Sequence, residues 1–231
     1  MERRIRMQRI RNIPCTLARS YRVWGMGNRS TAAFDHHIGK MSEVIDFQSS
    51  GNRVFWGEIA PCEHIAQFYE HDRALLDTLI GFIGGGLKAG ESTIVIATAA
   101  HLNALEDGLQ NSGVDLVSAL VQHRYIAILA DKALERFMVK QWPDDMLFAK
   151  FVSDLITRAR AHGRRVRTFG EMVALLWARG DAAATVRLEY LWNRLFRTED
   201  FSLFCAYPKA GFSKDPSNSM REICEAHSRI I

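Results

Sequence analysis

A chain of 231 residues, 48% apolar and 24% charged, is long enough for one sizeable core and has the makeup of an ordinary soluble globular protein. The longest uncharged apolar run, Ser92 to Leu105, is shorter than the roughly 18 residues a membrane span needs and contains a histidine, so no membrane association and a cytoplasmic location are expected. The net charge of +4 is unevenly spread: residues 1–40 hold nine Lys or Arg against two acids, which leaves 21 basic and 24 acidic residues for 41–231. A pI near 9.0 therefore reflects the amino-terminal arm and does not argue for a nucleic-acid-binding core.

Residues 1–52 read as a basic, poorly ordered arm, with eight arginines between positions 3 and 29 and no apolar period that holds for two turns. Its composition fits a transit-like segment, a basic arm for nucleic acid, or a start assigned too early, because Met26 and Met41 are alternative starts and the sequence changes character after Met41.

From His64 the pattern becomes regular. HIAQFY reads as a short strand, and Ala74 to Lys88 places apolar residues at 75, 76, 79, 80, 83 and 87 on one helical face, closed by Gly90. TIVIA, from Thr93, is the β-branched run of a strand buried on both faces of a parallel sheet. A helix over His101 to Gln110, a linker after Gly113 and a strand from Tyr125 to Leu129 follow. Lys132 to Val139 reads as a short helix, and Pro143 and Asp144 suit the start of the next, whose stripe is Phe148, Phe151, Val152, Leu155, Ile156 and Ala159. Val166 to Phe169 is a strand, Met172 to Trp177 and Ala182 to Phe196 are helices, Phe201 to Ala206 is a strand, and Pro216 to Ile231 is a terminal helix. Five strands alternating with helices predict an α/β fold: three layers, with a mainly parallel sheet of about five or more strands covered on both faces.

Ligands bind at the carboxyl ends of strands in such sheets. The residues expected there are Tyr69 and Glu70, Thr98, Asp131, Glu171 and Tyr207, with Trp177 and Trp192 as apolar wall, a set that suits a small-molecule pocket. Glu171 and Tyr207 are expected to face a common crevice, although a Glu in a first helical turn also serves the dipole alone. His64 opens its strand and belongs to the opposite edge, which weakens any pairing of it with Glu171 as acid and base.

GGLKAGES, residues 85–92, nearly matches the phosphate-binding pattern GxxxxGK[ST], but Glu91 replaces the lysine and a helix precedes where a strand should. A helix cap and turn is the better reading. The basic run Arg158 to Arg167 reads as a solvated face. Cys15, Cys62, Cys205 and Cys224 form no CxxC pair and have no histidine at metal-ligand spacing, so reduced thiols and no metal site are expected, with Cys205 a small buried hydrophobe.

His64-x4-Tyr69, the helix ending GLKAGE before a buried strand, VRTFGEMVALLWARG, LEYLWNRL, FSLFCAYP and the terminal ICEAHSRII, together spanning residues 62–231, resemble the MEDS domain, a sensory domain of methanogen and methylotroph proteins. The resemblance implies a RecA/KaiC-like fold without a phosphate loop and a role in sensing small organic molecules. It would place ligand contacts at His64, Tyr69, Glu171, Trp192, Asn193 and Tyr207, of which the strand-end argument independently supports Tyr69, Glu171 and Tyr207. No helix-turn-helix is read in residues 1–60. The expected function is therefore a non-catalytic sensory module without a cofactor, signalling through a partner protein, with a homodimer open. The alternative is a degenerate nucleotide-binding protein or weak ATPase in which Arg165 or Arg167 substitutes for the missing lysine. An enzyme using Glu171 and His64 as acid and base is a weaker third reading.

Overall fold

The computed structural model describes residues 62–210 and 219–231. The basic arm and the loop containing Gly211 lie outside them. Six strands form one wholly parallel sheet: β1 (His64–Tyr69), β2 (Ser92–Ala97), β3 (Tyr125–Leu129), β6 (Val166–Gly170), β7 (Ser202–Pro208) and the two-residue β8 (Arg229–Ile230), in the order β3-β2-β6-β7-β1-β8. All five expected strands form. Every residue of β2 and β6 is buried, as sheet strands covered on both faces require.

Helices α1 (Asp72–Lys88), α2 (Ala99–Asn111) and α3 (Leu116–Val121) cover one face, their apolar stripes meeting Ile65, Val95, Phe169 and Phe204. Helices α4 (Ala130–Glu135), α5 (Asp145–Ala159), α6 (Met172–Ala178), α7 (Ala182–Leu195) and α8 (Ser219–Ala226) cover the other, around Phe148, Ile156, Leu188 and Trp192. Connections that run one way across the sheet pack on one face and those that run back pack on the other, the arrangement a constant crossover hand produces. Each fully buried Leu, Ile or Phe in these layers contributes about 1.5–3 kcal/mol relative to exposure.

Local chemistry explains the element boundaries. Side-chain oxygens of Thr98, Asp115, Asp144 and Asp181 accept backbone N–H groups at the starts of α2, α3, α5 and α7. Gly90, at φ +78°, lets the chain turn out of α1 into β2.

Three expectations change. The linker after Gly113 contains α3, which Asp115 caps. The helix expected over Lys132 to Val139 ends at Glu135, and Met138–Val139 (β4) pairs antiparallel with Trp142–Pro143 (β5). The turn between them places Lys140 and Gln141 at φ +49° and +64°, a conformation usually marked by Gly or Asn, so the sequence carried no hairpin signal. The terminal helix is only α8, and β8 follows it to extend the sheet beside β1. Cys205 and Cys224 are free thiols as expected. No helix among the described residues is long and apolar enough to cross a membrane.

Candidate functional site

β2 sends the chain outward to β3 over one helical layer, while its neighbour β6 sends it the opposite way to β7 over the other layer. The connections thus diverge between β2 and β6, which opens a crevice at their carboxyl ends. Thr98 follows β2 there and Glu171 follows β6. The Glu171 N–H donates to the Ile96 carbonyl at 2.8 Å, carrying the β6–β2 ladder one residue past the strand. Its carboxylate makes no cap bond within α6 and reaches across the gap instead. Oε2 accepts the Thr98 N–H at 2.8 Å, and Oε1 lies 2.8 Å from Nδ1 of His101, one turn into α2.

His101 Nε2 is 3.7 Å from Oδ2 of Asp72, in the first turn of α1. Glu171 is 4% exposed but the Asp72 side chain is 71% exposed, so the chain of polar groups leads from the sheet edge to solvent. The hydrogen bond to Glu171 raises the His101 pKa above its ordinary value despite partial burial, and Asp72 adds to the effect. Tyr69, at the end of β1, is pushed up to about 12 by burial and by the nearby charges of Glu171 and Asp72. Tyr69, Asp72, Thr98, His101 and Glu171 therefore form one electrostatic group.

Tyr207 does not join it. Along β7, Leu203, Cys205 and Tyr207 face the α4–α8 layer, and the Tyr207 hydroxyl donates to Oε1 of Glu189 on α7. His64, at the amino end of β1, faces the same layer. Its Nε2 is 3.3 Å from Glu189 Oε2 and 3.5 Å from the Cys205 sulfur, and its Nδ1 lies 3.1 Å from the Ala226 carbonyl and 3.4 Å from Asn193 Oδ1. Asn193 donates its amide N–H to the same carbonyl at 3.0 Å. His227, just past α8, places Nε2 3.5 Å from Glu189 Oε1 and its ring 4.0 Å from that of His64.

Burial favours the neutral form of Glu189, and the hydrogen bond from the Tyr207 hydroxyl favours its carboxylate. Burial likewise pushes His227 down to about 4 against the pull of Glu189, and pushes the Cys205 thiol and Tyr207 phenol well up.

Residues 63–228 match a family model described as MEDS, the methanogen/methylotroph DcmR sensory domain. The chain belongs to the MEDS family. No curated protein matches it. MEDS is a sensory domain, and the matched stretch contains both polar groups.

The six residues named from the sequence divide within the MEDS domain. Tyr69 and Glu171 stand together at the carboxyl edge, while His64 and Tyr207 meet at Glu189 in the opposite layer, with Asn193 beside His64. The expected common crevice of Glu171 and Tyr207 is not formed, because each side chain is held by a different helical layer. Trp192 is fully buried, edge-on to Phe148 with ring centroids 4.9 Å apart. Of the other strand-end residues, Glu70 is an exposed partner of Lys209 at 2.9 Å. Asp131 lines an open groove of about 920 Å³ with Leu134, Met138, Leu176 and Arg179.

The basic run is not uniformly solvated. Arg167 is 3% exposed, and it donates to Glu91 and, at 3.0 Å, to the Phe82 carbonyl, while Arg165 pairs with Glu91 at 3.4 Å. Both arginines flank the amino end of β6, the sheet edge opposite Glu171, and both pair with Glu91, the residue that stands in the lysine position of the GGLKAGES loop.

Sequence reasoning missed His101 and Asp72, and also Glu189, Cys205 and His227. The signals were faint: a Thr three residues before a His at a helix start, and the four-residue spacings Glu189/Asn193 and Ile223/His227.

Proposed function

We propose that this MEDS domain is a non-catalytic sensor that binds a small organic molecule at the carboxyl edge of the sheet, beside Tyr69, His101 and Glu171. It passes the bound state to a signalling or regulatory protein. The observation that carries this reading is the position of the Glu171 carboxylate: buried, held by Thr98 and His101, and placed where the chain connections of β2 and β6 diverge. A buried, charged anchor at that point holds His101 beside Tyr69, and Asp72 leads from it to solvent. Both Glu171 oxygens are already engaged, which suits recognition better than proton transfer. His64 belongs to the other layer and the other strand end, which removes the acid–base pair an enzyme reading required.

Signalling requires that ligand bind two states of the domain with different affinity. Because Glu171 joins the helices of opposite layers, α2 through His101 and α6 through its own backbone, a molecule that competes for His101 alters how those layers are tied.

The test is a thermal-shift screen of the full chain against small organic compounds, with ATP and GTP alongside. A rise in Tm with an organic compound, reduced in Glu171→Gln and Tyr69→Phe, is the expected result. A rise with nucleotides alone, or an organic shift unchanged in both variants, overturns the reading.

A further inference from the structure

Four side chains from four separate segments converge in the α4–α8 layer: His64 from β1, Glu189 from α7, Cys205 from β7 and His227 from the turn after α8. One donor atom from each lies within 4.8 Å of all the others. We propose that these residues form a closed, buried zinc site, with His64 Nε2, His227 Nε2, the Cys205 thiolate and Glu189 as ligands.

The spacing fits the ion. Zinc bound tetrahedrally at about 2.0 Å to N or O and about 2.3 Å to S sets its donors roughly 3.3 Å apart for N and O pairs and roughly 3.5 Å apart for N and S pairs. Here His64 Nε2 is 3.3 Å from Glu189 Oε2 and 3.5 Å from the Cys205 sulfur, and His227 Nε2 is 3.5 Å from Glu189 Oε1. The remaining donor separations are at most 4.8 Å.

Hydrogen bonding aims both histidines inward. His227 Nδ1 is 2.6 Å from the Ile223 carbonyl, and His64 Nδ1 is 3.1 Å from the Ala226 carbonyl. A carbonyl only accepts, so each Nδ1 carries the proton and each Nε2 presents a lone pair to the cluster, the arrangement that outer partners impose on metal-binding histidines. Those lone pairs meet a carboxylate, which also only accepts. As a result Glu189 Oε2 and His227 Nε2 are buried without a hydrogen bond, although both are within ion-pair distance. Orphaned acceptors in a dry layer are costly, and a shared cation satisfies them together.

Charge agrees. One carboxylate, one thiolate and two neutral imidazoles sum to minus two, which a divalent ion cancels, whereas a lone ionised carboxylate among neutral groups does not suit a buried position. Binding displaces the Cys205 proton to solvent. The mixed N, O and S donors favour zinc over calcium or magnesium, which take oxygen ligands. Tyr207, donating to Glu189 Oε1, orients the carboxylate. Reciprocal bonds between Ser228 and the backbone of His64, at 2.7–2.9 Å, set the turn that delivers His227.

The test measures metal content of the purified full chain before and after chelation and zinc reloading, and the absorption of the cobalt(II)-loaded chain. The expected result is about one zinc per chain, a near-ultraviolet thiolate-to-cobalt band that Cys205→Ser abolishes, and a lower Tm on chelation that is absent in His227→Gln. Folding of each variant is checked by circular dichroism. Should His227→Gln not fold, the cobalt band and its loss in Cys205→Ser still decide. Substoichiometric zinc after reloading, or a cobalt spectrum without a thiolate band, overturns the proposal. So does metal retained equally by both variants, which would place it at other side chains.

Discussion

The Glu171 carboxylate accepts the Thr98 N–H at 2.8 Å across the point where the chain connections of neighbouring strands diverge. That bond, together with the one to His101, ties the end of β6 to the start of α2, and the first prediction concerns its strength.

Glu171→Ala leaves the Thr98 N–H and the His101 ring without their acceptor at a position that is almost dry. A charge-assisted bond contributes about 1.5–3 kcal/mol, so a loss of about that size is expected in urea unfolding. Glu171→Gln retains one carbonyl acceptor and should lose less. Equal stability of Glu171→Ala and the parent would show that the crevice is hydrated and the anchor weak.

Stability should fall as pH rises past neutrality. The folded-state pKa of His101 lies above its ordinary value of 6.5. Its contribution is therefore fully present below 6.5 and is lost as pH climbs through the raised value. Because His101 is partly reached by solvent, screening limits the effect to a few degrees of Tm, about 2–4 °C. His101→Gln should flatten the Tm profile between pH 6 and 9 if this pair dominates there.

Tyr69, at about 12, should ionise later than an exposed tyrosine at 10.0, because burial and the charges of Glu171 and Asp72 oppose a phenolate. A raised pKa makes the folded chain less stable as pH rises from 10.0 toward 12. Ultraviolet titration of Tyr69→Phe against the parent should show one late-titrating phenol fewer. An unchanged late phase would mean that Tyr69 is open to water.

Arg167 and Glu91 make a buried pair behind α1. Arg167→Met, which leaves Glu91 only its pair with the half-exposed Arg165 at 3.4 Å, should cost up to about 3–5 kcal/mol, and the double variant with Glu91→Leu should recover much of that. Additive losses would contradict a coupled pair.

Gly86 faces this pair. A Cβ there would lie 2.9 Å from Arg167 Cδ and 3.0 Å from Nε. Alanine gains up to about 1 kcal/mol of helix propensity, but overpacking costs about 1–3 kcal/mol, and Arg167 is pinned at its far end. Gly86→Ala should be net destabilising in urea unfolding. A more stable variant would show that Arg167 has room to move.

Most of the fold was legible in order along the chain because period is a local property. The β-branched TIVIA run, the stripe from Phe148 to Ala159 and the alternation of strand with helix each follow from neighbours a few residues apart. The same locality placed Tyr69, Thr98 and Glu171 at strand ends. It failed where backbone geometry went against residue type, as in the turn through Lys140 and Gln141, and where a two-residue strand drew its support from β1 rather than from its own sequence.

The sequence by itself determined the α/β class, the five longer strands, the family and the edge at which Tyr69 and Glu171 stand. Only the tertiary structure decided which polar residues meet. Direction from the sheet is a matter of two-residue parity, and partners across a layer come from helices tens to more than a hundred residues away. Parity sends Tyr207 toward Glu189 and away from Glu171, and parallel crossovers bring His64, Glu189, Cys205 and His227 together although no spacing between them in the chain says so.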